Sequence, residues 1–189
     1  MFTLGGKFDY LTKSPCGALC VADVLRQLAL EPDVDLAQFW SMSGNDFFGA
    51  IHSNGYLRPT GHALSLLNNL LQGDVLASSV SAPTVNTPGV GAVEPQTQLP
   101  VTEVLSTRQG QTLRSLIIHK DPVNAGHVKI DVKNGQVTSA EVVTLTCENV
   151  FDTSDTDRIM QRHQSTWRST DMLDVSPHSL TLLTIQLAA

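Results

Sequence analysis

The sequence predicts an α+β chain in which a helix, a strand, a small hairpin and a second helix lead into an antiparallel β-sandwich. Three observations carry this. Residues 14–71 hold two apolar patterns of helical period with a short continuous apolar run between them. Residues 101–189 change to a period of two, in short runs separated by turn signals and with no helical pattern among them. Between the halves, residues 74–100 carry Pro83, Pro88, Pro95 and Pro100 among many Ser, Thr and Gly, a composition that buries too little apolar surface to fold alone. The expected divisions are therefore 1–73, a Pro/Ser-rich linker at 74–100 that opens with one strand at 75–80, and a sandwich at 101–189.

Each element has a local cause. Ser14 followed by Pro15 suits an N-cap with proline at the first helical position, and Leu19, Ala22, Leu25, Leu28 and Ala29 then recur at helical spacing until Pro32 stops the helix. Residues 34–40 are too brief for a helix and are bounded by Pro32 and by Ser43-Gly44-Asn45, which reads as a buried parallel strand. Phe47 to Ile51 and Tyr56 flank Ser53-Asn54-Gly55, a hairpin turn signal. Ala63, Leu66, Leu67, Leu70 and Leu71 mark the second helix, entered through Arg58-Pro59-Thr60 and ended by Gly73. Sandwich strands are expected at 101–106, 112–119, 127–132, 137–146 and 179–187, with Asn134-Gly135 as the clearest hairpin turn.

Composition narrows the function classes. The 12 basic and 18 acidic residues give a net charge of -6 with no Lys/Arg block, so the electrostatic footprint of a nucleic-acid or anionic-membrane binder is missing. No apolar run approaches the length of about 18 residues that a membrane span needs, and residues 1–10 lack the pattern of a signal peptide. With Met1 as the true start, the chain is expected in the cytoplasm. The 3 cysteines are an odd count without zinc spacing: Cys16 and Cys20 share a helix face as core thiols, Cys147 packs in an apolar run, and His62, His119 and His127 are not spaced to complete a metal site. Neither a metal nor a cofactor is expected.

Taken together, Gly17-Ala18-Leu19, the run from Asp33 to Trp40, Phe48-Gly49, Arg58-Pro59-Thr60 and the Leu-rich helix resemble the last two βα elements of retaining (β/α)₈-barrel glycoside hydrolases. The second half is similar to the C-terminal sandwich of the α-L-arabinofuranosidase family. Residues 113–122 resemble its strand that ends in Lys-Asp-Pro. Glu148-Asn149-Val150-Phe151-Asp152 with Asp157-Arg158-Ile159 resembles its Asn-Thr-Phe-Asp and Asp-Arg-Val loop, and residues 176–183 resemble its closing strand. The resemblance implies a partial barrel remnant before the sandwich, since 189 residues fall short of the roughly 250 of a closed barrel.

It also implies what is absent. Retaining glycosidases use two carboxylates about 5–5.5 Å apart, at the C-terminal ends of barrel strands. Here the first recognisable strand corresponds to the family's eighth, and the acids up to its start are Asp9, Asp23, Glu31 and Asp33, none placed for paired work. Glu94, Glu103, Glu141 and Glu148 fall in the linker and sandwich. No catalytic residue is carried over. The substrate-binding candidates are Trp40, whose indole stacks on a sugar face or else caps the barrel interior, and Asn45, which lines the same rim or simply forms a turn. Trp167 marks a sugar-binding surface or covers a sandwich edge.

Two functions follow: the C-terminal fragment of a glycoside hydrolase, inactive alone, or a stand-alone carbohydrate-binding or interaction module. Carbohydrate is the expected ligand. Residues 34–39, without neighbouring strands, are expected to drive self-association together with the faces of the two helices, unless a missing barrel segment covers them. A piece starting near Val75 is expected to fold by itself, and residues 1–73 are not.

Overall fold

The computed structural model describes residues 12–43, 49–89, 91, 94–133, 135–154 and 156–188. Among the described residues two helices, α1 (Pro15–Leu30) and α2 (Pro59–Leu70), precede ten strands. These are β1 (Asp74–Leu76), β2 (Thr84–Thr87), β3 (Gln96–Pro100), β4 (Thr102–Gln109), β5 (Thr112–His119), β6 (Gly126–Val128), β7 (Val137–Thr146), β8 (Gln161–Thr166), β9 (Leu173–Val175) and β10 (Ser179–Leu187). The fold is α+β and its sheets are antiparallel.

The helix starts are set by sequence. Ser14 Oγ accepts from the Gly17 N–H at 3.3 Å and Pro15 opens α1, so the first turn is capped and loses no bond to the proline. At the other end Glu31 N–H closes on the Leu28 carbonyl at 3.3 Å before Pro32. Pro59 opens α2 in the same way, but Arg58 supplies no side-chain cap.

Six strands form the main sheet in the order β1, β4, β5, β10, β7, β8. The closing strand β10 lies between β5 and β7, with Leu180 opposite both Ile118 and Leu145, and Leu183 opposite both Ser115 and Val142. Because side chains alternate along a strand, this register sorts the core into two faces. Leu180 and Leu182 join Leu116, Ile118, Leu105 and Leu145 on the face covered by the helices, where Ala18, Ala22, Ala63, Leu66, Leu67 and Leu70 pack against them. Leu183, Ile185 and Leu187 join Ile117, Ala140 and Val142 on the other face, under Trp167, Leu173 and Val175. The helices and the sheet thus share one core. An ion-pair cluster ties α1 to the β4 and β5 ends: Arg26 Nε to Asp23 at 2.8 Å, Lys120 Nζ to Asp23 at 3.3 Å and to Glu103 at 3.7 Å, and Arg26 Nη1 to Glu103 at 3.6 Å.

Three expectations are corrected. Residues 34–40 are not a buried parallel strand: they pair with no strand, and Val34, Leu36 and Trp40 are exposed. A parallel strand needs neighbours on its edges, and no described segment runs beside it. Secondly, 127–132 and 137–146 do not form a hairpin across Asn134-Gly135. β6 pairs with β9 in the second layer while β7 pairs with β10 and β8 in the main sheet, so the two segments lie in different layers; Asn134 itself lies outside the described residues. Thirdly, 75–80 is a strand only through Leu76, and the proline-rich stretch beyond it carries the β2 and β3 ribbon.

Candidate functional site

The segment between the helices fixes the position of Trp40. Pro32 and the turn after it end α1, and the chain crosses to residues 41–42, which lie alongside 50–51: Ala50 N–H donates to the Ser41 carbonyl at 3.1 Å and Ile51 N–H to the Met42 carbonyl at 2.8 Å. Ile51 in turn bridges to Leu57, and His52 N–H donates to the Tyr56 carbonyl at 3.0 Å across the expected Ser53-Asn54-Gly55 turn. Gly55 takes φ +88°, a conformation that favours glycine. The His52 and Tyr56 rings stack at 4.5 Å with planes 10° apart.

Arg58 locks this small platform to α2. Its backbone N–H donates to the Ala50 carbonyl and its Nη1 to the Gly49 carbonyl, both at 2.9 Å, with the side chain 1% exposed. Gly61, in the first turns of α2, is required by the same packing, because a Cβ there would collide with the Ala50 carbonyl oxygen.

Trp40 enters this platform through a cis peptide bond to Ser41, and its side chain is 71% exposed. Among the described residues nothing covers most of the indole. Asn45 lies outside the described residues. Trp167 is not a surface platform: it is 6% exposed, its Nε1–H donates to the Asp171 carbonyl at 3.1 Å, and it packs in the second core.

Four described acids precede this platform in the sequence, Asp23, Glu31, Asp33 and Asp35. Burial pushes the Asp23 carboxyl up, but the hydrogen bond from Arg26 and the charges of Lys120 and Arg26 outweigh it and hold the group below the usual carboxylate range. Glu31, Asp33 and Asp35 are exposed. Among the described residues no group of three His, Cys, Asp or Glu side chains is placed to hold a metal ion. Cys16 and Cys147 are half-buried whereas Cys20 is exposed, which corrects its reading as a core thiol. Desolvation raises all three thiols, that of Cys147 to about 11 and that of Cys20 with help from the Asp23 charge although the residue as a whole is exposed, so none is a ready nucleophile.

A cavity of about 650 Å³, lined mainly by polar residues, has no counterpart in the sequence reading. It opens beside β7 and β8, where Thr144, Thr146 and His163 meet Glu148, Asp174 and His178. His163 Nε2 lies 3.1 Å from Thr146 Oγ1, and Asp174 is held by His127 at 2.6 Å. Burial pulls the His178 imidazole below its ordinary value, against the opposing hydrogen bond at Pro122 and the Asp121 charge. The alternation of Thr144 and Thr146 was the available signal. It identifies one face of a strand, but not the loops that close over it.

No family model and no curated protein matches the chain. Solved structures do. The α-L-arabinofuranosidase of Thermotoga maritima, in its arabinose complex, superposes with a TM-score of 0.76 and 21% identity over 92% of this chain and 39% of its own. The GH51 α-L-arabinofuranosidase of Thermotoga petrophila gives 0.73 and 21% over 92% and 38%. A glycoside hydrolase family 30 xylanase of Clostridium acetobutylicum gives 0.64 at 9% identity over 92% and 40%. The chain spans about two-fifths of the length of these three structures, and over that span it has the fold found in these glycoside hydrolases, the α-L-arabinofuranosidases among them.

Proposed function

We propose that this chain is the C-terminal portion of an α-L-arabinofuranosidase-like glycoside hydrolase, which in its complete form acts on arabinose-containing plant polysaccharide or oligosaccharide, and that by itself it hydrolyses nothing. The observation that carries the reading is the asymmetry of coverage: 92% of this chain is accounted for by 39% of the Thermotoga maritima enzyme. The family's Asn-Thr-Phe-Asp and Asp-Arg-Val resemblance at 148–159 favours an arabinofuranosidase over the xylanase that shares the fold. Retaining hydrolysis needs two opposed carboxylates about 5 Å apart. Asp23 is instead held by two cations, and Glu31, Asp33 and Asp35 face solvent.

The purified chain is expected to release no product from aryl arabinofuranosides or xylosides, and to bind arabinose-containing oligosaccharide at most weakly. Trp40→Ala should abolish that binding, measured by calorimetry or by quenching of indole fluorescence. Turnover that disappears on Glu31→Gln would overturn the reading. A second function, a stand-alone carbohydrate-binding or interaction module, is favoured by one observation, the 71% exposure of Trp40. The coding sequence upstream of Met1 separates the two: an in-frame barrel with two strand-end glutamates supports the fragment, and a promoter with a ribosome site there supports the module.

A further inference from the structure

The face of the sheet away from the helices is incompletely roofed. A groove of about 1120 Å³ runs over Val104, Ser106, Leu113, Ser115 and Ile117, between one wall at 76–83 and another at 126–133. The small paired hydroxyls of Ser106 and Ser115, 2.8 Å apart, leave a hollow in its floor. Along the second wall Val128, Ile130 and Val132 turn inward while Lys129, Asp131 and Lys133 are exposed, which is the alternation of a β-strand. Only Gly126–Val128 is paired, with β9. The backbone groups of 129–133 have no partner among the described residues, and neither do those of 77–82. Two extended walls with unsatisfied backbone groups over a mostly apolar floor make an acceptor for one more strand.

The same molecule carries a donor. Residues 35–39 make no hydrogen bond among the described residues, and Val34 and Leu36 are exposed at 37% and 74% between Asp33 and Asp35. Residues 33–39 span seven positions, about 23 Å when extended, and so fit within each wall. None of them lines the groove of its own chain. The apolar faces of α1 and α2 are largely buried on the sheet, and among the described residues this segment and the groove are two surfaces complementary in charge and length.

We propose that, where no barrel segment covers residues 33–39, a second copy of this chain inserts them into the groove, pairing along 129–133 and leaving Trp40 outside it. Val34 and Leu36 point to the floor over Ser106 and Ser115. Asp33 and Asp35 point outward on the face that presents Lys129 and Lys133, where cross-strand opposite charges attract; Asp131, between the two lysines and in contact with Lys133, leaves that wall with one net positive charge. The association is heterologous, since the donor and acceptor surfaces differ, so it either closes reciprocally or continues into larger assemblies.

Light scattering and sedimentation across a concentration series test this. The chain is expected to pass from monomer to dimer or higher, and Leu36→Asp should weaken association by about tenfold or more, the weight of one apolar side chain kept from burial. Leu36 is exposed, so this variant keeps the monomer fold, which circular dichroism verifies. The double reversal Lys129→Glu with Lys133→Glu should also weaken association, and adding Asp33→Lys with Asp35→Lys should restore it. A monomer at every concentration, association indifferent to Leu36→Asp, or a charge reversal that the second pair does not rescue would each overturn the proposal.

Discussion

The two faces of the central sheet are covered in different ways, and the difference separates what holds the molecule together from what it leaves accessible. On one face α1 and α2 seal the sheet: Ala18, Ala22, Ala63, Leu66 and Leu70 are fully buried, as are Leu105, Leu116 and Ile118 beneath them. On the other face the cover is the short ribbon of β6 and β9 with Trp167. There Val104, Leu113, Val128, Ile130 and Val132 are only partly buried, and both cavities open. A helix presents a broad apolar stripe that closes over several strands at once, whereas a three-residue ribbon covers little more than its own width.

The comparison predicts unequal core mutations. Leu116→Ala, beneath the helices, should cost about 2–5 kcal/mol, because the removed atoms leave a cavity between two rigid layers. Ile130→Ala, on the open side, should cost about 1–2 kcal/mol, since much of its side chain is hydrated already. Urea unfolding of the two variants checks this. Equal losses would mean that the second layer is as closely packed as the first.

The same contrast decided what was legible in the sequence. The strands β5, β7 and β10 are legible with their bounds because each runs eight or more positions, is rich in β-branched and apolar residues and packs on both faces. β8 is Gln161–Thr166, exposed throughout and wholly polar, so it carries no periodic signal and is a strand only because β7 offers an edge. β9 has three residues, too few for any period. Residues 34–40 failed in the opposite sense: an apolar run identifies a segment that ought to be buried but does not supply the neighbours that bury it. Of the candidate site, the hairpin at Ser53-Asn54-Gly55 came from local residues and the choice of Trp40 from the family resemblance. The exposure of Trp40, the Arg58 clamp and the polar cavity depend on distant segments meeting, which no window of sequence contains.

A smaller effect concerns the join between α1 and the sheet. The Asp23 carboxylate is held below its ordinary value by Arg26 and Lys120 despite its burial. A depressed carboxylate contributes stability that is fully present above the unfolded value of about 3.9 and is lost as pH falls through the folded value. Asp23→Asn should therefore lower stability by about 1 kcal/mol at neutral pH, and the melting curves of variant and parent should converge in acid. A constant offset down to pH 2 would show that the contribution is packing rather than charge.

The smallest expected effect sits in the sealed layer and tests how far the seal extends. His62 lies in α2, and burial, reinforced by the positive charge of Arg162, lowers its imidazole from the ordinary value. Above that value the side chain is neutral in the folded and unfolded chains alike and contributes nothing to the pH dependence. As pH falls below about 6.5 the unfolded chain takes up the proton first, so stability declines until the folded value is passed and then levels. His62→Gln should flatten the stability profile between pH 7 and 5 while leaving the acid limb governed by Asp23 in place. Because Arg162 belongs to the edge strand β8, adding Arg162→Gln to the parent should reduce the same slope without removing it, since burial is the larger cause. If the Arg162 variant alone removes the whole slope, His62 is open to water and the helices do not seal the sheet as far as its β8 edge.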